Sequence, residues 1–304
     1  MRPASVSRQI IFALTCLLSL GTGSLPAIPR AESVQRAVSS DAPRDSEFPA
    51  RMEAVWIPSA GSRMNGVFYF ASGRGPHPTA ILFHGLPGNE QNLDLAQALR
   101  RAGYNVLTFH FRGSWGSPGI FTLAGGVDDG NAAVAYVEAN ASRFQIAERR
   151  LILIGHSYGG FLAARVAQSH PDIAATVLIA PWSPALTAQA LSASRNELPA
   201  TARRMFDDVD GRLGDKTALD LAREILSSGV DWRLESSAEA LARRPLLIVL
   251  ARHDTEDDQA APLIHALKQR HAANVTTVWM DTDHPFSDHR IALETQTLGW
   301  LRSH

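Results

Sequence analysis

The ten residues Leu151-Ile-Leu-Ile-Gly155-His156-Ser157-Tyr158-Gly159-Gly160 constrain this chain more than any others. Four branched apolar residues in a row leave no side for solvent, and such a run reads as a strand buried on both faces, as in a parallel sheet. From Tyr158 to about Ser169 the pattern turns helical, with Phe161, Leu162, Arg165 and Val166 at turn spacing. A strand that becomes a helix within so few residues forces Ser157 into a strained backbone conformation. Side chains at Gly155 or Gly159 would collide there with strand and helix. The serine hydroxyl is lifted out of the sheet, and the next backbone N–H points at whatever it attacks. The bare Gly-x-Ser-x-Gly spacing is common; the strand before it and the helix after it make it informative.

At 304 residues and 45% hydrophobic content the chain has ample material for one large domain or two small ones. A net charge of −1 gives no bulk attraction to nucleic acid or to an anionic membrane. The first residues are of a different kind. Arg2 and Arg8 precede the apolar run from Ile10 to Leu20, and small and helix-breaking residues follow from Gly21 to Pro29. This order reads as a secretory signal over residues 1–27, and it predicts an exported protein, periplasmic or secreted. An apolar run of about eleven residues is short for a membrane span, which needs about 20, so no span is expected in the mature chain. An uncleaved signal acting as an anchor is the alternative. The single cysteine, Cys16, lies in this run, so cleavage near Ala27 would leave no thiol for disulfides or metal ligation. Residues 28–48 are polar, Pro-containing and aperiodic, and are expected to form a disordered lead-in to a catalytic domain over 49–304.

Met52–Ile57 and Asn65–Ala71 read as two short antiparallel strands. Strand and helix then alternate from residue 79, which predicts a mostly parallel, doubly wound sheet of eight strands. Thr79–Phe83 is a strand followed at once by His84-Gly85-Leu86-Pro87-Gly88-Asn89, with Asn89 as a candidate helix cap. Tyr104–His110 leads into Phe111-Arg-Gly-Ser-Trp-Gly-Ser-Pro-Gly119, whose glycines fit no nucleotide-binding pattern. Asp128 or Asp129 is a candidate cap for a helix running to about Ala139. Between Ala175–Ala180 and Pro245–Leu250 the alternation lapses. About fifty Ala- and Leu-rich residues, roughly 183–235, read as three helices inserted as a cap. Ser236 to Glu239 has the spacing of a capping box. Val275–Met280 is the last strand, and Ile291–Leu301 the closing helix.

These motifs together resemble the α/β-hydrolase superfamily: the elbow around Ser157, the His84-Gly85 loop, the Arg112–Gly119 loop and the Asp-His-x-Phe at Asp283–Phe286. The resemblance spans about residues 50–304 apart from the helical insertion, and it implies the α/β-hydrolase fold. It also implies a Ser-His-Asp triad in the order serine, acid, histidine. Ser157 would be the nucleophile, Asp254 the acid after the seventh strand, and His284 the base after the eighth. Asp257 and Asp258 are alternative acids, and His289 is the alternative base. The second oxyanion donor would be the Leu86 amide beside that of Tyr158, since Pro87 has no N–H. An acid often precedes the Arg-Gly of such loops, whereas His110 stands there in this chain, so His110 is taken as a structural or pocket-edge residue. His156 reads as packing, His265 and His271 as surface residues, and His253 as a possible pocket lining.

The resemblance implies acyl transfer by a serine hydrolase of the esterase or acylaminoacyl-peptidase-like group, acting on a small-molecule ester without cofactor or metal. Peptide or thioester cleavage on the same triad is the alternative within the enzyme class. A non-catalytic binding module of this fold is the alternative outside it.

Overall fold

A computed structural model describes residues 30–209, 211–254 and 258–304. Residues 1–27, where the export signal is expected, and Asp257 lie outside the described residues. The centre is a sheet of eight strands: β1 (Arg51–Ser59), β2 (Ser62–Phe70), β3 (His77–Phe83), β4 (Asn105–Phe109), β5 (Ile146–His156), β6 (Ala175–Ile179), β7 (Leu246–Ala251) and β8 (Val275–Met280). Their order across the sheet is β1-β2-β4-β3-β5-β6-β7-β8. The β1–β2 and β2–β4 pairs are antiparallel and every other neighbour pair is parallel.

The parallel strands are buried on both faces, as their unbroken apolar runs require. Leu153, Ile248 and Leu250 face one apolar layer, while Ile152, Ile154, Leu247 and Val249 face the other. The first layer packs under helices α3 (Gly125–Ala139) and α4 (Tyr158–Ser169). The second packs under α2 (Leu93–Arg101) and α10 (Arg290–Leu301). After β3 the chain crosses to β4 on one side, and β5 returns to β3's other side. That reversal makes the carboxyl ends of β3 and β5 the topological switch point of the sheet, the place where open α/β sheets hold ligands.

Several local expectations are corrected. Residues 28–48 are not a disordered lead-in throughout, because Arg30–Ser39 form helix α1. Val34 and Ala37, one turn apart, are buried with Leu95, Ala98 and Trp300 in the second apolar layer, and this tertiary contact supplies what the polar composition hides. Asn89 does not cap α2; the helix starts at Leu93, and Asn89 Nδ2 donates to Asp208 Oδ2 at 2.6 Å. The segment Ser236–Glu239 makes no capping box. The reciprocal bonds of a box occur at Thr217 and Asp220, opening α7 (Ala218–Ser228). Together α5 (Pro184–Ala193), α6 (Leu198–Met205) and α7 form the helical insertion between β6 and β7, and the short α8 (Ala238–Ala242) leads back to β7.

Neither Asp128 nor Asp129 caps α3, which begins three residues before Asp128. Asp129 is buried inside the helix and has another task. Its Oδ1 accepts from Ser59 Oγ at 2.6 Å and Arg112 Nε at 2.5 Å, and its Oδ2 accepts from the Arg112 backbone N–H at 3.0 Å. This ties the 111–119 loop to α3 and to the end of β1. Removing one member of a buried pair leaves the other charge uncompensated. Asp129→Ala is therefore expected to lower the unfolding free energy by about 3–5 kcal/mol in urea titrations, and Ser59→Ala by about 1 kcal/mol.

Candidate functional site

The elbow is formed as its sequence demands. β5 ends at His156, α4 starts at Tyr158, and Ser157 between them has φ 55° and ψ −119°. A non-glycine residue at positive φ costs free energy and persists only where its surroundings enforce it. Here they do: the Ser157 N–H donates to Ile179 O, and its carbonyl accepts from Gly160, Phe161 and Trp182. A Cβ on Gly155 would lie 2.0 Å from the Gly159 carbonyl oxygen, inside the elbow. A Cβ on Gly159 would lie 2.1 Å from the Phe83 carbonyl oxygen, so the second glycine is demanded by β3 rather than by β5.

That contact brings the His84–Asn89 loop against the elbow. The position of a Cβ on Gly85 is 3.2 Å from Ser157 Cβ. Leu86, the next residue, is partly buried against the first apolar layer. The Tyr158 N–H opens α4, where the first amides have no partner within the helix and the helix dipole favours negative charge. The Tyr158 ring is buried and its hydroxyl donates to Leu123 O at 2.7 Å.

Asp254 and His284, thirty residues apart, meet at the ends of β7 and β8, with His284 Nδ1 2.6 Å from Asp254 Oδ2. An ionised carboxylate only accepts, so Nδ1 carries the proton and Nε2 is left as the basic nitrogen. The β8–α10 loop that presents His284 is fastened on several sides. Phe286 is fully buried, His253 N donates to Thr282 O at 3.0 Å, Ser287 N to Asp283 Oδ1 at 2.7 Å, and Arg290 Nη1 to Pro285 O at 2.9 Å. Asp258 is exposed and lines a cavity of about 250 Å³ with Asp254, His284, Arg252 and Trp279. His289 faces Asp288 at 2.9 Å. His253 is an exposed partner of Asp281, not a pocket lining. His265 and His271 are exposed at α9 (Ala261–Gln269) and just past its end.

Two connections escaped the sequence. Trp115 Nε1 donates to Pro87 O at 2.6 Å, so the loop pinned by Asp129 in turn supports the His84 loop. The helical insertion reaches the same place, because the Trp115 N–H donates to Arg212 O at 3.2 Å and Asp208 accepts from Asn89. Neither is visible in a motif, because each joins segments far apart in the chain. The partners of the buried imidazoles escaped it too. The His84 ring lies tilted against His110, their centroids 5.2 Å apart, and its Nδ1–H donates to Gly85 O at 2.7 Å. His156 is buried beside His284, their ring centroids 4.9 Å apart.

Burial holds His84 down to about 3, with repulsion from His110 in the same direction and the Gly85 bond opposing it. Burial also holds His156 at about 3, assisted by the charge of His284. Unfolded, both titrate near 6.5, so between pH 6.5 and about 3 the unfolded chain binds more protons than the folded one. Their contribution to stability is complete above pH 6.5 and is lost as pH falls toward 3. The urea midpoint is expected to fall below pH 6.5, while the His84 and His156 ring NMR shifts stay constant from pH 8 to 5. Titration of either ring in the folded protein near pH 6.5 would contradict this.

The sequence profile described as "Alpha/beta hydrolase family" matches residues 80–293. An uncharacterized protein of Mycobacterium tuberculosis is 29% identical over 139 residues, 45% of this chain and 48% of its own. The sn-1-specific diacylglycerol lipase ABHD11 of Xenopus tropicalis is 32% identical over 165 residues, 52% of this chain and 47% of its own. The chain thus spans about half the length of the curated relatives it matches. Among solved structures, a Pyrococcus furiosus esterase superposes with a TM-score of 0.62 at 19% identity, covering 86% of this chain and 97% of that one. An esterase of Pyrobaculum calidifontis gives 0.60 at 18% identity, covering 90% and 91%. The family profile covers well over half of the chain, and the sheet order and elbow agree with it: this protein belongs to the alpha/beta hydrolase family.

Proposed function

We propose that the protein is a serine hydrolase of carboxylic esters, working through Ser157, His284 and Asp254. One observation carries the reading. The His284–Asp254 bond of 2.6 Å lies at the same carboxyl edge of the sheet as the strained serine, so nucleophile, orienting acid and base are supplied by the ends of β5, β7 and β8. Relatives and neighbours that include a diacylglycerol lipase and esterases favour an ester over a peptide.

In this reading His284 Nε2 takes the Ser157 proton as Oγ attacks the ester carbonyl. The Tyr158 and Leu86 amides donate to the developing oxyanion, each worth roughly 3 kcal/mol. The negative charge then sits at the start of α4, where the dipole favours it. Asp254 keeps Nδ1 protonated and stabilises the imidazolium. The alcohol leaves with the proton from Nε2, and water attacks the acyl-enzyme by the same route. The apolar run at residues 10–20 fits export of this hydrolase, and no helix among the described residues is long and apolar enough to cross a membrane.

Hydrolysis of p-nitrophenyl esters of increasing acyl length, beside fluorophosphonate labelling, tests the reading. Ser157→Ala is expected to abolish labelling and to lower kcat by about 10⁴-fold or more, and Asp254→Asn to lower it by about 10⁴-fold. Asp257→Asn and Asp258→Asn are expected to stay near the wild-type rate. Folded wild-type protein that neither labels nor turns over any ester would favour the binding module, and turnover of acyl-peptides alone would favour the peptidase.

A further inference from the structure

The residue before the elbow serine, His156, ends the buried strand β5, and strand alternation alone assigns its side chain to packing. His156 does more. Its backbone is locked in the sheet, paired with Ile179 of β6, and the residue is 4% exposed. From that fixed base Nε2 reaches the main-chain carbonyl of His284 at 3.0 Å. A carbonyl oxygen only accepts, so Nε2 carries the proton and Nδ1 is a bare lone pair. Nδ1 is buried and has no hydrogen-bond partner among the described residues, beside the site a Gly85 Cβ would occupy at 3.3 Å. The ring thus stands between the loop after β3 and the loop after β8, one residue from the nucleophile.

We infer that His156 is a positioning residue for the base: its Nε2–H holds the His284 carbonyl and fixes the His284 backbone relative to the strand end that carries Ser157. This rests on the reading of His284 as the base. The Asp254 bond sets the rotation and tautomer of the His284 ring, but Asp254 itself follows β7, two strands from β5. The His156 bond is the link that references the base directly to the nucleophile's own strand. An error of about 1 Å in such placement costs about a hundredfold in rate.

The charge state suits the task. The groups facing the ring are His284 and, at longer range, Arg290 and Asp254. Burial first, with the charge of His284 when protonated and that of Arg290, keeps His156 neutral against the opposing pull of its His284 carbonyl bond and of Asp254. A second imidazolium at 4.9 Å would oppose that cation, whereas a neutral ring donating one hydrogen bond does not.

Two substitutions separate the bond from the packing. In His156→Gln the side-chain amide nitrogen stands as many bonds from Cβ as Nε2 does, and it can donate to the same carbonyl. His156→Phe fills the space without a donor. In the full chain, His156→Phe is expected to lower kcat on p-nitrophenyl acetate about 10- to 100-fold with KM within about twofold, and to displace the acid limb of the kcat–pH profile. His156→Gln is expected to recover most of the rate and the wild-type profile. Wild-type kcat in His156→Phe, or a Gln variant as slow as the Phe variant, overturns the inference.

If the wild type hydrolyses no ester, the proposed function fails, and histidine-ring NMR alone judges His156. It also judges if His156→Phe fails to fold. A slowly exchanging Nε2–H on His156, with His284 ring signals sharp in the wild type and in His156→Gln, sustains the inference. A rapidly exchanging or Nδ1-protonated His156 ring overturns it.

Discussion

The close approach of the elbow to the end of β3 is the constraint on which the site depends. With 2.1 Å between the Phe83 carbonyl oxygen and the place a Gly159 Cβ would take, the start of α4 is seated directly on the neighbouring strand. The sheet order makes this contact obligatory, since β3 and β5 are paired up to Phe83 and Gly155 and their following segments leave at the same edge. One contact therefore settles where the serine stands and brings the Gly85–Leu86 backbone to it. Ser157 can hold positive φ because Ile179, Gly160, Phe161 and Trp182 all bond its peptide groups. The strain is met by backbone hydrogen bonds.

Around that seat the loops are held in a relay. Asp129 fixes Arg112, the Arg112–Gly119 loop carries Trp115, and Trp115 holds Pro87 beside the Leu86 amide. Gly88 has φ 106° with Trp115 and His84 packed where a Cβ would be, so the relay closes on a position that only glycine fills. The helical insertion joins through Asp208 and Arg212, whose bonds to Asn89 and Trp115 tie it to the same two loops. On the other side, Asp254 and His156 hold the ring and the carbonyl of His284. Three of the imidazoles in this region, His84, His110 and His156, are pushed below their ordinary value by burial, so His284, paired with Asp254, has the neutral His156 ring beside it.

Much of this was legible in the chain. Unbroken branched runs at 151–154 and 246–250 can only be strands buried on both faces, and their alternation with helical spacing leads to a parallel sheet. The elbow was legible because a sharp strand-to-helix turn has strict local steric demands. Less legible were features whose cause is not local. The helix at Arg30–Ser39 has a polar sequence and is held by Val34 and Ala37 against a layer built from α2 and α10. Asp129 looked like a helix cap because aspartate favours that position, yet a guanidinium seventeen residues away claims it. His156 looked like packing because strand alternation gives a side, not a partner.

The sequence by itself determined the fold class, the strained turn at Ser157, and the residue types that stand at the ends of β7 and β8, since each follows from periodicity or from sterics within a few residues. Only the tertiary structure decided which aspartate meets His284, which acid braces Arg112, and what His156 holds. These are pairings between segments 17 to 128 residues apart. Their geometry is set by the order of strands in the sheet, and no local preference encodes that order.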